Sequence, residues 1–195
     1  MARMSDLESV FCRTPVWRVF ARRFVVPRVL PDAGLGPDVL EIGCGSGAMA
    51  AEVLRARPAI ERYVATDVDP SMVGLARRQL ARFGDRAEAQ VVDAAGLPFD
   101  DASFDTVCSW LMLHHAIEWE RVLADVVRVL RPGGRLVGYD LADSARSRLV
   151  HRLTRSEVRM IDPDELRAEL VRLGLADVSV EPLGIAGAFA FSATR

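Results

Sequence analysis

Between Val39 and Ala51 the chain reads Val-Leu-Glu-Ile-Gly-Cys-Gly-Ser-Gly-Ala-Met-Ala-Ala, and this stretch constrains the rest more than any other. A short apolar run of β-forming residues meets Gly43, Gly45 and Gly47, then gives way to good helix formers, which predicts strand, tight turn, helix. Glycines let the backbone adopt positive φ and come close to a ligand, and Glu41 sits at the strand's C-terminal end, where open α/β sheets bind ligands. Gly43-x-Gly45-x-x-Ala48 also fits a dinucleotide fingerprint, so the turn alone leaves a nicotinamide cofactor and other adenosine-containing ligands open.

The residues that follow narrow the choice. A helix from 47 to about 57 stops at Pro58, and a second strand over 62–66 delivers Asp67. Asp69-Pro70 then supplies the N-cap and first-position proline of a helix, whose buried stripe is Met72, Val73, Ala76, Leu80 and Phe83, with Gly84 closing it. A third strand over 87–92 again ends in an acid, Asp93. Three successive strands therefore finish with a carboxylate, which suits a ligand rich in hydrogen-bond donors: an amine, two ribose hydroxyls and an exocyclic amino group. S-adenosylmethionine carries that set. A nicotinamide dinucleotide brings a pyrophosphate, which a row of acids repels.

Composition sets outer bounds. With 195 residues, 50% hydrophobic and 27% charged, the chain is one globular domain in size, and a net charge of -2 argues against nucleic acid as a general partner. All 25 basic residues are Arg, and Lys and Asn are absent, which points to a genomic base bias and a bacterial source. Cys12, Cys44 and Cys108 form no C-x-x-C pair; a reducing cytoplasm is the expectation, no metal site is expected, and Cys44 reads as a small residue tolerated between glycines. No signal peptide or run of transmembrane length is visible.

Residues 1–33 differ from the body, 34–195. Over 14–26, Val16, Trp17, Phe20, Ala21 and Phe24 share one helical face, with Arg18 and Arg22 opposite and Arg23 on a flank, predicting a basic amphipathic helix ended by Pro27 and Pro31. Two readings stand: a cap or lid on the body, or peripheral contact with an anionic membrane.

A fourth strand over 104–110 opens onto Leu111-Met112-Leu113-His114-His115. A long helix with Trp119, Val122, Leu123, Val126, Val127 and Leu130 inward ends at Arg131-Pro132-Gly133-Gly134, a type II turn, and a fifth strand over 135–139 ends at Asp140. Taken together, the 39–47 stretch, Ala65-Thr-Asp-Val-Asp-Pro-Ser-Met, Asp93-Ala-Ala-Gly-Leu-Pro-Phe, Leu113-His-His and Val129-Leu-Arg-Pro-Gly-Gly resemble the class I S-adenosylmethionine-dependent methyltransferases of the small bacterial type. Each motif is degenerate alone, and five in this order are specific; they span about 38 to 140.

The resemblance implies a doubly wound, seven-stranded, mostly parallel Rossmann-like sheet with its last strand antiparallel, and S-adenosylmethionine as cofactor. It implies that Gly43, Cys44, Gly45 and Gly47 hold the methionine end with Glu41 beneath them, that Asp67 takes the ribose hydroxyls, and that Asp93 and the Ala94 N–H take the adenine; Val68, Met72 and Trp110 complete the expected cofactor contacts. The remaining chain agrees: Asp162-Pro-Asp-Glu165 caps a helix through Leu166, Leu170 and Leu173, and 178–183 and 188–194 are two final strands.

The implied chemistry is in-line methyl transfer to a small-molecule or lipid-like acceptor, for which positioning supplies much of the acceleration and a base is needed only if the nucleophile has a proton to lose. His114 and His115 are the candidate catalytic residues, as base or as pocket wall. With no inserted substrate domain, Trp17 and Phe20, His114, and His151 in the variable segment 141–161 are the expected acceptor contacts. No obligate protein partner is expected. Rival readings are a non-catalytic S-adenosylmethionine-binding protein and a nicotinamide-dependent oxidoreductase; a nucleic-acid amino methyltransferase is disfavoured because Ser109-Trp-Leu-Met stands where a Pro-Pro-aromatic motif belongs.

Overall fold

Seven strands form one sheet in the order β3-β2-β1-β4-β5-β7-β6. They are β1 (Asp38–Ile42), β2 (Arg62–Asp67), β3 (Ala87–Val91), β4 (Phe104–Trp110), β5 (Leu130–Leu141), β6 (Ala176–Pro182) and β7 (Ala188–Thr194). The pairs among β1 to β5 are parallel, whereas β7 lies antiparallel between β5 and β6. The computed structural model describes residues 19, 21–30, 34–143, 158–184 and 187–195.

Period-two alternation sends neighbouring side chains to opposite faces and so builds two cores. One face carries Leu40, Ile42, Val107 and Leu136, covered by α4 (Trp119–Val129) and α5 (Pro163–Arg172). The other carries Val39, Tyr63, Cys108, Val137 and Tyr139, covered by α1 (Val26–Val29), α2 (Ala48–Ala56) and α3 (Pro70–Leu80). The helix starts follow the expected chemistry: Asp69 accepts from Ser71 N at 2.7 Å, and Asp162 from Asp164 N at 2.8 Å, each followed by proline.

Three boundaries differ from expectation. α4 ends at Val129 and Leu130 already pairs with Phe104; the chain then turns through Arg131–Gly134, with Gly133 at φ +77, and this turn is tied to the C-terminus by Gly133 N–H to Arg195 O and Arg195 N–H to Gly134 O. α3 passes into a 3-10 turn (Ala81–Arg86) in which Phe83 is half-buried.

The third difference lies near the N-terminus. Ala21–Val25 is a π-helical turn leading into α1, and Val25, Val26, Val29 and Leu30 face the core while Phe24 is 45% exposed. A π turn winds more residues per turn than an α-helix, so a stripe drawn at 3.6 residues rotates away from the core. Arg22 and Arg23 face outward as expected, and Arg28 does too. Trp17 and Phe20 lie outside the described residues.

Candidate functional site

Parallel order reverses direction between β1 and β4, and a crevice opens at the C-terminal ends of strands where a sheet does this. Glu41, Asp67 and Asp93 end or follow β1, β2 and β3, three neighbours in the sheet, so the acids stand side by side along this edge. On the far side of β1, β4 delivers Trp110, and the 3-10 turn Leu113–His115 follows.

The glycine turn is folded onto these acids. Asp67 takes Gly45 N–H on Oδ2 at 2.8 Å and Asp69 N–H on Oδ1 at 2.9 Å; Cys44 N–H bonds Thr66 O at 2.8 Å, and Gly47 N–H bonds Cys44 O at 2.9 Å. Three of the turn's N–H groups are thus spent on the protein itself, contrary to the simple picture of a turn that offers them to a ligand. Such a turn gives close approach without an anion cradle, and the Asp67 carboxylate at its base disfavours a pyrophosphate further.

Gly43 has φ +67, and a Cβ there would lie 1.9 Å from Met112 Cγ, so glycine is required both by the backbone and by the Met112 side chain packed on it. Leu111, with φ +59, is the strained residue that carries the chain from β4 to Met112. Val68 is half-buried, Met72 and Ala94 are buried, and Asp93 is exposed, its carboxylate capping Ala95 N–H at 2.9 Å. Trp110 is buried beside Tyr139 on the α1–α3 face.

Glu41 is 1% exposed and accepts a 2.7 Å hydrogen bond from the Tyr63 hydroxyl. Burial pushes its carboxyl from the ordinary 4.5 to about 8; the Tyr63 bond opposes this and nearby Asp67 adds to it. Burial also raises Asp67, against the pull of the Asp69 and Gly45 N–H groups, and keeps the Cys44 and Cys108 thiols protonated. The folded chain therefore holds the Glu41 proton more tightly than the unfolded chain. Unfolding free energy falls as pH rises from about 4.5 to about 8, and Glu41→Gln is expected to flatten that part of the curve. Urea midpoints between these limits measure it, and an unaltered slope in the variant would assign the proton to another group.

His114 and His115 are both buried, with ring centroids 4.1 Å apart. His114 Nδ1 lies 2.5 Å from Oδ1 of Asp140, which is fully buried at the end of β5. The same carboxylate accepts Leu141 N–H at 2.7 Å and His114 N–H at 3.3 Å. Arg159 N–H bonds His114 O at 2.9 Å, and the Arg159 guanidinium stacks over Trp119 and pairs with Glu120 at 2.7 Å, fixing this turn from outside. His151 lies outside the described residues.

Tyr63, Met112 and Asp140 are the members that sequence reasoning did not single out. Asp140 had a signal, since it repeats the strand-end acid of Glu41, Asp67 and Asp93. Among the described residues no group of three His, Cys, Asp or Glu is placed to hold a metal ion, and no helix is long and apolar enough to cross a membrane.

Comparison with known proteins agrees with this geometry. Residues 39–134 match the family model described as a methyltransferase domain. The chain is 34% identical over 165 residues to the 27-O-demethylrifamycin SV methyltransferase of Amycolatopsis mediterranei (strain S699), covering 75% of this chain and 56% of that protein. It is 36% identical over 145 residues to the demethylmenaquinone methyltransferase of Clavibacter sepedonicus, covering 70% and 55%. It thus spans a little over half the length of either relative. In fold it resembles a SAM-dependent methyltransferase from Aquifex aeolicus, with a TM-score of 0.78 at 20% identity over 98% of this chain and 99% of that one.

Proposed function

The chain belongs to the class I S-adenosylmethionine-dependent methyltransferases, and from that premise we propose that it methylates a small-molecule or lipid-like acceptor at the edge between β1 and β4. The observation that carries the reading is the row of strand-end acids tied to the glycine turn through the Asp67–Gly45 bond. Acceptor groups line the edge where the cofactor has donors, and three of the turn's N–H groups are already bonded within the protein, so the residues present fit S-adenosylmethionine better than a dinucleotide.

In this reading Gly43, Cys44, Gly45 and Gly47 pass close to the methionine end, with Glu41 buried below them and hydrogen-bonded to Tyr63. Asp67 binds the ribose hydroxyls, Asp93 and Ala94 the adenine, and Val68, Met72 and Trp110 shape the walls. When bound, the cofactor supplies a methyl group on a positively charged sulfur, already activated for displacement. The chain's task is to orient the acceptor and exclude water, and His114 and His115 face that task from the turn after β4. Residues 1–33 serve as a cap on the body 34–195, rooted by Val25, Val26, Val29 and Leu30, with Trp17, Phe20 and His151 as further acceptor contacts.

The relatives' printed names, one a demethylated rifamycin and one a demethylated menaquinone, support an acceptor of that size and apolarity. Calorimetry tests the reading: S-adenosylmethionine and its demethylated product should bind in the micromolar range, about 8 kcal/mol, and a nicotinamide dinucleotide not measurably. Equal binding of the dinucleotide would sink it. Binding without transfer of labelled methyl to any component of a bacterial extract would favour a non-catalytic S-adenosylmethionine-binding protein.

A further inference from the structure

Away from the glycine turn, where α2 ends, α1 and α2 border a groove of about 400 Å³. Its charged lining comes from both sides: Arg22 from the π turn that leads into α1, and Glu52, Arg55 and Arg57 from the last turns of α2 and its C-cap. Val26, Pro27 and Leu30 supply an apolar wall. α2 begins directly after Gly47 and runs for 9 residues. At a rise of about 1.5 Å per residue its far end lies roughly 13 Å from the turn, so the groove is a separate place from the crevice between β1 and β4.

Part of this charge has an ordinary explanation. Arg55 is paired with Glu52, which is 7% exposed, and arginines in the last turn of a helix complement its negative end. The same holds for Arg57, whose guanidinium donates to Ala56 O at 3.3 Å. It does not cover Arg22, which a different helix brings to the same groove. Three guanidiniums against one carboxylate leave two positive charges in the lining, within a chain whose net charge is -2. Arg23 and Arg28, exposed on the segment that carries Arg22, add to the local field. Like charges gathered from two elements repel one another, and an anion between them turns that repulsion into attraction.

We infer that this groove binds a phosphate monoester carried on an apolar chain, the phosphate lying among Arg22, Arg55 and Arg57 and the chain along Val26, Pro27 and Leu30. The planar fork of a guanidinium matches two phosphate oxygens at once. A phosphate monoester brings about 1.5 to 2 negative charges at neutral pH, close to the excess in the lining, whereas a carboxylate brings one. The volume is that of a small-molecule site. A ligand held there touches α1 and α2 together and so ties the cap to the body. The inference goes beyond the methyltransferase reading and does not depend on it, since no cofactor or acceptor contact is involved.

The test is calorimetry on the full chain with hexyl phosphate, inorganic phosphate, hexanoate and hexyltrimethylammonium as probes. Hexyl phosphate should bind at least tenfold more tightly than inorganic phosphate, because part of its chain leaves water, and about tenfold more tightly than hexanoate. The cationic probe should not bind measurably. Arg22→Gln and Arg57→Gln should each weaken hexyl phosphate about tenfold, the loss expected for one charge-assisted hydrogen bond, and leave S-adenosylmethionine affinity within about twofold. Arg22 is exposed, so its replacement spares the fold and decides the matter if Arg57→Gln disturbs it.

Vesicles of phosphatidylcholine with and without phosphatidic acid identify the source of the phosphate. Sedimentation with the phosphatidic acid vesicles alone, reversed by hexyl phosphate, makes the ligand a membrane lipid; hexyl phosphate binding without sedimentation makes it a soluble monoester. Equal binding of hexyl phosphate and the alkylammonium, or hexyl phosphate affinity unchanged in Arg22→Gln, would overturn the site. Inorganic phosphate binding as tightly as hexyl phosphate would remove the apolar chain from the assignment and with it the ligand class. Failure of the wild-type protein to bind S-adenosylmethionine would bear on the methyltransferase reading and leave this site standing.

Discussion

Asp67→Ala is expected to weaken S-adenosylmethionine binding about 100-fold. Two charge-assisted hydrogen bonds to the ribose, at about 1.5 to 3 kcal/mol each and partly replaced by water, amount to roughly 3 kcal/mol. The structure adds a second route to the same loss, because Asp67 also anchors Gly45 N–H and Asp69 N–H. Removing the carboxylate frees the turn as well as the ribose. Stability should fall far less, since the buried carboxylate is itself costly to ionise and its pKa is raised. Calorimetry gives the affinity and urea unfolding the stability; an unchanged dissociation constant would place the ribose elsewhere.

Gly43→Ala should be as damaging by a different mechanism. Alanine at φ +67 costs roughly 1 kcal/mol in backbone strain. Its methyl would sit 1.9 Å from Met112 Cγ and 2.8 Å from Met112 Cβ, so that side chain must leave. Met112 is buried and follows the strained Leu111, and displacing it costs about 1–3 kcal/mol more as overpacking. The combined variant Gly43→Ala/Met112→Ala separates the terms: relative to Met112→Ala alone, it should carry the backbone part and the remaining 2.8 Å contact with the Cβ at 112, the closer clash with Cγ being gone. If the two substitutions instead add fully in urea midpoints, Met112 does not press on the turn.

The acids at the ends of β1, β2 and β3 were legible because each belongs to a local strand-to-turn motif, and the turn glycines were legible because few other residues tolerate positive φ. Asp140 was equally visible as a strand-end acid, yet its partner was not, since that depends on the β4–β5 register between residues 26 apart. Tyr63 belongs to Glu41 for a similar reason: one strand's alternation cannot say which side chain of its neighbour shares the buried face. The spending of the turn's N–H groups was hidden because Asp67 lies on another strand. Near the N-terminus, hydrophobic spacing set Phe24 on the apolar face of a helix, whereas it is 45% exposed, because periodicity assumes the winding it is used to detect.

The slot between β5 and β6 has a consequence for how the protein is made. β7 enters it antiparallel, seven of its residues bonding β5 from Arg135–Thr194 to Leu141–Ala188. Until the ribosome has released residue 194, β5 presents an open backbone edge with Val137 and Tyr139 alongside, and β6 has no neighbour to pair with. The strands from β1 to β5 can assemble as they emerge, but the sheet closes only by a late insertion of high sequence separation. Nascent chains paused short of that point carry a template for pairing with one another, so yield should depend on chaperones and temperature during synthesis more than the stability of the finished fold would indicate.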